Sequence, residues 1–310
     1  MKSNYIWMDG ELVPYEQATV HFLSPTLHYG FGAFEGARCY DTPNGPAAFR
    51  LYEHLKRFVD SALIMGIQDF PYSVEELRTA VHKTIRANEL RECYIRPALY
   101  MGGPLGLNAD VYQTHVGIAV WEWGAYLGEE ALEKGVRMMV SSFTRMHHNS
   151  FMTKAKAAGN YVNSIMAKTL AHRAGYDEAI MIDPDGFVAE CSGMNIFAVR
   201  DNVIYTPPRA TILEGITRDS LIVIADDLGY KVVEEPLVRD QLYIADEVFV
   251  SGTAAEVTAV CEIDTRKIGS GSMGPVTRHL QKAFFETVHG QGPRSTEWLD
   301  YVRVMADTII

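Results

Sequence analysis

The stretch Glu247-Val248-Phe249-Val250-Ser251-Gly252-Thr253-Ala254-Ala255-Glu256 joins two kinds of sequence. Its first four residues read as a buried strand, a short apolar run rich in β-branched and aromatic side chains. The six that follow are mostly small, and Thr253 with Glu256 three positions on has the pattern of a capping box at a helix start. A phosphate held without a metal needs several backbone N–H donors aimed at one point, and helix starts or turns of small residues supply them. Gly215-Ile216-Thr217 is a second such segment. It opens a helical pattern through Leu221, Ile222, Ala225 and Leu228 that Gly229 closes. Each segment also carries a hydroxyl able to donate, and the plain alternative for either is an ordinary cap.

Outward from these segments, the second half of the chain alternates strand and helix. Residues 135–143 read as a strand, 161–174 as a helix, and 178–182 and 195–199 as further strands. The first half looks α+β. Asp9-Gly10 between Ile6-Trp7-Met8 and Glu11-Leu12-Val13 predicts a tight hairpin, and Thr42-Pro43-Asn44-Gly45-Pro46 predicts another. Leu51, Leu55, Phe58, Ala62 and Leu63 recur at helical spacing, as do Leu77, Val81 and Ile85, before strand-like runs at 93–101 and 116–121. Trp123-Gly124-Ala125-Tyr126-Leu127-Gly128 reads as an ordered bend between domains. The expected organisation is a small N-terminal α+β domain over 1–122, an interdomain loop over 123–134 and a larger α/β domain over 135–310, a division that suits a chain of 310 residues.

Composition removes several function classes. A formal net charge of −11 gives a surface that repels phosphate backbones and acidic lipid headgroups, against nucleic-acid or membrane partners. No apolar run reaches the roughly 18 residues of a membrane span, and the first residues lack the apolar core of a signal peptide, so the expected location is the cytoplasm. Cys39, Cys93, Cys191 and Cys261 show no C-x-x-C spacing and are expected as buried, reduced thiols. His147 and His148 are adjacent, so on a regular element their side chains diverge and make a poor metal pair. There is no P-loop, no G-x-S-x-G, and no G-x-G-x-x-G read as following a strand and opening a helix. Lys156 sits among small residues in Thr153-Lys154-Ala155-Lys156-Ala157-Ala158-Gly159-Asn160-Tyr161, which would let a flat ligand approach. Desolvation is what makes such an amine nucleophilic near neutrality, and the alternative is two solvated loop lysines.

Four segments occur in order: Lys156-Ala157-Ala158-Gly159-Asn160-Tyr161, Glu190-Cys191-Ser192-Gly193-Met194-Asn195-Ile196-Phe197, Gly215-Ile216-Thr217-Arg218 and Ser251-Gly252-Thr253-Ala254-Ala255-Glu256. Together they resemble the fold-type IV pyridoxal-phosphate enzymes. Tyr29-Gly30-Phe31-Gly32-Ala33-Phe34-Glu35-Gly36, Tyr94-Ile95-Arg96-Pro97 and Trp123-Gly124-Ala125-Tyr126 narrow the resemblance to the branched-chain-amino-acid aminotransferases, almost end to end. The resemblance implies a two-domain α/β (α+β) fold whose larger domain is barrel-like. It implies that Lys156 holds pyridoxal 5′-phosphate as a Schiff base and moves the substrate α-proton, that Glu190 faces the pyridine nitrogen, and that Tyr161 meets the 3′-oxygen. Arg57, Ile216, Thr217 and Thr253 would bind the phosphate.

For substrate, the resemblance implies apolar walls from Tyr29, Phe34, Trp123 and Tyr126, with Gly36 among the lining residues. Arg96 would meet a γ-carboxylate, and Tyr94 with the amides of Thr253 and Ala254 the α-carboxylate. Core packing is the alternative for Tyr29, Phe34 and Trp123. The implied reaction passes the amino group of L-leucine, isoleucine or valine to 2-oxoglutarate, in a homodimer or larger homo-oligomer. Phe31 and Met146-His147-His148-Asn149-Ser150-Phe151 depart from the family pattern, which leaves open a mixed specificity reaching aromatic amino acids or some amines. D-amino-acid and (R)-amine transaminases and aminodeoxychorismate lyase resemble the second half, but the Tyr94-x-Arg96 pair argues against them. A non-catalytic pyridoxal-phosphate carrier would not need Lys156, Glu190 and Tyr161 together.

Overall fold

The computed structural model describes residues 3–124 and 126–302. They fall into two compact units, one formed by residues up to Trp123 with those from Glu286 onward, the other by Gly124–Phe285. In the first unit, Asp9 and Gly10 take φ of 47° and 105°, values that match the twist of the tight turn between Tyr5–Met8 and Glu11–Pro14. Beyond that hairpin the sheet runs antiparallel in the order Glu11–Pro14, Tyr5–Met8, Gln113–Trp121, Cys93–Gly102, Ala37–Thr42, Gly45–Phe49, Leu299–Tyr301, and Ala33–Phe34 also pairs with Cys93–Gly102. Side chains alternate along Cys93–Gly102, so Ile95, Leu99 and Met101 enter the core while Tyr94 and Arg96 share the opposite face. Helices Leu51–Ile64 and Val74–Ala87 bury Leu51, Leu55, Phe58, Ala62, Leu77, Val81 and Ile85, and Ser73 and Glu76 close a capping box at the start of the second. Each large apolar side chain buried this way contributes about 1.5–3 kcal/mol.

The expected second domain over 135–310 needs correction at its end. Leu299–Tyr301 adds to the edge of Gly45–Phe49, the amide of Arg50 donates to the Trp298 carbonyl at 2.7 Å, and Arg78 donates to Asp300 at 2.8 Å. Strand pairing thus draws the chain from Glu286 onward back to the first unit. The division at Trp123 falls inside the expected bend, of which Ala125 lies outside the described residues, as do Met1, Lys2 and 303–310 of the expected second domain.

In the second unit a mixed sheet follows the order Val188–Cys191, Glu178–Ile182, Val136–Val140, Glu256–Ile263, Glu247–Gly252, Asn195–Arg200, Val203–Thr206, Lys231–Glu234. Val136–Val140 runs parallel to both its neighbours, and Lys231–Glu234 is parallel to Val203–Thr206. Glu247–Gly252 is central, with Phe249 stacked on Phe197 at 4.7 Å. Two sequence expectations fail around it. Thr253 and Glu256 form no capping box: Thr253–Ala255 is a turn, and Glu256, with φ 53°, begins the next strand, because continuing the ladder satisfies more backbone groups than starting a helix.

Gly269-Ser270-Gly271-Ser272-Met273-Gly274 does lie between a short strand, Arg266–Lys267, and a helix, Pro275–Val288, so the strand–glycine–helix order set aside from sequence is present. It is no nucleotide site. Arg266–Lys267 is the antiparallel return of Glu256–Ile263, and the start of the helix is filled by Glu247, which accepts from the amides of Val276 and Thr277 at 2.9 and 2.8 Å. A Cβ at Gly274 would sit 2.1 Å from the Glu247 carboxyl carbon, so that glycine serves the chain's own carboxylate.

Candidate active site

The segment after Val136–Val140 is irregular and leads through a short turn at Ala158–Asn160 into helix Tyr161–Arg173. This geometry returns the chain on itself and sets the Lys156 Nζ 2.6 Å from the Tyr161 hydroxyl. Lys154, two residues earlier, instead faces out and pairs with Glu214 at 2.9 Å. The two neighbouring lysines are therefore not equivalent, as the solvated-loop alternative would have them.

Glu190, on Val188–Cys191, is buried. A bare carboxylate there would be costly, and four donors offset the burial. Arg145 donates to its Oε1 from Nε at 2.8 Å and reaches it through a second guanidinium nitrogen at 2.7 Å. Asn195 Nδ2 approaches Oε2 at 3.3 Å, and the Leu213 amide approaches both oxygens at 3.3 Å. Arg145 is itself buried, with one terminal nitrogen that has no hydrogen-bond partner among the described residues. Burial together with the charges of Glu178 and Glu190 keeps the nearby Cys191 thiol well above its usual range, so that cysteine is a packing residue here.

Asn195 links this carboxylate to the helix Ile216–Asp227. Its Nδ2 also donates to the Leu213 carbonyl at 3.1 Å, and a Cβ at Gly215 would lie 2.0 Å from its Oδ1. Gly215 is the N-cap, a residue with no side chain to satisfy the first-turn amides of Ile216 and Thr217. Those amides with their dipole suit an anion. Thr253 and Ala254 lie in the turn after Glu247–Gly252, beside the same half of the sheet, since Asn195 pairs with Ser251. Tyr126 belongs to this unit, and its hydroxyl accepts from Lys168.

The first unit gathers a second set. Arg57, on Leu51–Ile64, donates to Glu35 through Nε at 2.8 Å and a terminal nitrogen at 2.7 Å, and His54 Nδ1 lies 3.2 Å from the same carboxylate. Burial alone would raise the Glu35 carboxyl, but the Arg57 guanidinium and His54 hold it well below the usual carboxylate range. The pair fixes the orientation of Arg57. Arg96 lies over the rings of Phe34, Tyr94 and Trp121 at 4.7, 5.3 and 5.9 Å, and Trp123 packs edge-on to Tyr94 at 4.6 Å. Gly36 is required by close approach, because a Cβ would meet the Tyr94 hydroxyl at 2.0 Å. Tyr29 stands apart, 45% exposed with its ring 6.2 Å from His28.

Phe34, Gly36, Tyr94, Arg96 and Trp123 are thus brought together, as are Lys156 with Tyr161 and Glu190 with the Gly215 turn. Sequence reasoning missed Glu35, Arg145, Asn195 and Lys168; Glu35 and Asn195 lie inside segments quoted for other reasons. The rings of His147 and His148 stack at 4.1 Å in a turn instead of diverging, because irregular backbone does not impose the alternation of a strand.

A family model described as amino-transferase class IV matches residues 32–263. A branched-chain-amino-acid aminotransferase of Pseudomonas aeruginosa is 51% identical over 97% of this chain and 98% of its own length. The crystal structure of the branched-chain amino acid aminotransferase of Escherichia coli superposes with a TM-score of 0.95 at 46% identity, covering 97% of this chain and all of that one. Structures of the T.th. branched-chain amino acid aminotransferase with pyridoxamine 5′-phosphate and with N-(5′-phosphopyridoxyl)-L-glutamate give TM-scores of 0.94 and 0.93 at 51% and 49% identity, each covering 98% of this chain and all of the other. The chain therefore belongs to the class IV aminotransferases, within the family of branched-chain-amino-acid aminotransferases, fold-type IV enzymes that depend on pyridoxal 5′-phosphate.

Proposed function

We propose that this enzyme transfers the amino group of L-leucine, L-isoleucine or L-valine to 2-oxoglutarate in two half-reactions at one site, with Lys156 as its catalytic base. The observation that carries the reading is the 2.6 Å approach of Lys156 to Tyr161 in a unit that also buries a charge-paired Glu190. The donor set fits pyridoxal phosphate: an amine, a phenol, a buried carboxylate and a helix start without a side-chain cap. When bound, that cofactor supplies an aldehyde for amine exchange and a conjugated ring that stabilises charge at the substrate α-carbon.

Lys156 takes the α-proton from the substrate and returns it, and Tyr161 keeps the amine oriented. Glu190, held in place by Arg145, Asn195 and Leu213 as its hydrogen-bond donors, would set its carboxylate against the ring nitrogen. In the second unit Ile216, Thr217 and Thr253 would bind the phosphate, the role that Arg57 would have in the first. The amides of Thr253 and Ala254 would bind the α-carboxylate, the role that Tyr94 would have in the first unit. In the first unit Phe34, Gly36, Trp123 and Tyr29 would supply aliphatic contacts and Arg96 would meet the γ-carboxylate of the second half-reaction; in the second unit Tyr126 would line the substrate pocket. The phosphopyridoxyl-glutamate complex of the T.th. relative supports a dicarboxylic partner.

Borohydride reduction followed by peptide mapping is expected to label Lys156, and L-leucine with 2-oxoglutarate to turn over faster than D-alanine or (R)-1-phenylethylamine. Labelling at another lysine, or no turnover of L-leucine, overturns the reading. Exposed Phe22, Leu27 and Leu107 in the first unit support a homodimer or larger assembly, since a second copy would cover them. Ultracentrifugation showing a fully active monomer would contradict it. No helix among the described residues is long and apolar enough to cross a membrane, and the free cysteines suit a reducing cytoplasm, which cell fractionation checks.

A further inference from the structure

Helix Tyr161–Arg173 carries Tyr161 at its start and Lys168 two turns later on the same side. Lys168 Nζ lies 3.2 Å from Glu178 Oε2, donates to the Tyr126 hydroxyl at 2.5 Å, and lies 4.1 Å from the centre of that ring. Glu178 opens the strand Glu178–Ile182 and is fully buried, its other oxygen accepting from the Ala179 amide at 2.7 Å. A buried carboxylate thus fixes an ammonium, and the ammonium fixes a phenol. Burial opposes the charge on Lys168, but the Glu178 carboxylate and the phenol outweigh it and hold the amine above its usual range.

The consequence for Tyr126 follows from hydrogen-bond valence. A phenol oxygen that accepts from a cation is still an O–H donor, and the cation draws electron density from that oxygen and strengthens the donor. An anionic acceptor gains most. An aliphatic side chain meets the same ring as an apolar wall and gains nothing from the polarised hydroxyl.

We propose that Lys168, held by Glu178, is a positioning residue that makes Tyr126 a donor to the distal carboxylate of dicarboxylic substrates, and so sets the preference between dicarboxylic and aliphatic oxo acids. This rests on the reading that Tyr126 lines the substrate pocket. A lysine that merely staples the helix to the sheet would affect all substrates alike.

The test measures kcat/KM of the holoenzyme for 2-oxoglutarate and for 4-methyl-2-oxopentanoate in wild type, Lys168→Met, Lys168→Arg, Tyr126→Phe and the Lys168→Met/Tyr126→Phe double variant. Lys168→Met is expected to lower the value for 2-oxoglutarate about tenfold, mainly through KM, while the aliphatic oxo acid changes less than about twofold. Lys168→Arg is expected to restore most of the loss, and in the Tyr126→Phe background Lys168→Met adds nothing. Glutarate should protect wild type against thermal unfolding more than it protects Lys168→Met, whereas 4-methylpentanoate protects both equally. Equal losses for both oxo acids, no loss, or additive effects in the double variant overturn the proposal. Failure of wild type to transaminate either oxo acid sinks the functional reading instead, and the proposal with it.

Discussion

Gly215→Ala tests whether the helix start proposed to hold the phosphate and the carboxylate proposed to face the ring nitrogen are mechanically one piece. The added methyl would lie 2.0 Å from Asn195 Oδ1 and 3.2 Å from the Arg218 Cβ. Asn195 cannot simply swing aside, because it is buried and its Nδ2 serves the Leu213 carbonyl at 3.1 Å and Glu190 at 3.3 Å. Rotating it gives up both hydrogen bonds, about 1 kcal/mol each, and overpacking adds roughly 1–3 kcal/mol. The sum, about 3–5 kcal/mol, should lower the melting temperature of the cofactor-free protein by on the order of 10 °C. Because Glu190 loses a donor as the helix start shifts, pyridoxal phosphate should also bind about tenfold or more weakly. Calorimetry of the cofactor-free protein and titration of its tryptophan fluorescence with pyridoxal phosphate read the two effects separately. A variant that melts within about 1 °C of wild type and binds the cofactor as tightly would refute the coupling through Asn195.

Glu35→Gln probes the support of Arg57. Because the folded-state carboxyl is held below its ordinary range, the unfolded chain takes up the proton first as acid is added, so this contribution is complete above that range and is lost as pH falls below it. At neutral pH the variant should lose about 3–5 kcal/mol, because the largely buried Arg57 cation is left facing a neutral amide. Its urea midpoint should also fall less steeply than that of wild type on acidification; parallel profiles would show that Glu35 carries no such linkage. Tyr161→Phe should keep borohydride labelling at Lys156 while lowering turnover about 10- to 100-fold, the cost of one strong hydrogen bond to a charged or reacting group. Unchanged turnover would remove Tyr161 from the mechanism.

Periodicity located most elements because most of them bury one face. The Leu51, Leu55, Phe58 and Ala62 series became a helix whose inner side is those residues, and the Asp9-Gly10 turn needed the positive φ that glycine supplies at no steric cost. Thr253 and Glu256 show where local pattern loses. A capping box and a strand–turn–strand junction place the same residue types at the same spacing, and only the partner strand, available from Val248↔Val260 onward, decides between them. The return of Leu299–Tyr301 to a strand some 250 residues earlier in the chain is likewise a pairing energy with no local signature.

The site divides along the same line. Groups expected to touch cofactor or substrate sit in short segments whose composition is unusual in itself: a lysine among alanines, a glycine before a helix, a tyrosine two residues from an arginine. The groups that hold them are ordinary residues made special by distance in sequence. Arg145 meets Glu190 across 45 positions, Arg57 meets Glu35 across 22, and Lys168 meets Tyr126 across 42. Each is a buried or half-buried charge whose desolvation only a specific partner offsets, and no window of local sequence contains both members. Variation among related enzymes that share the Lys156 and Glu190 segments should therefore be sought first in these supporting pairs, where one substitution re-aims a donor without disturbing the atoms that react.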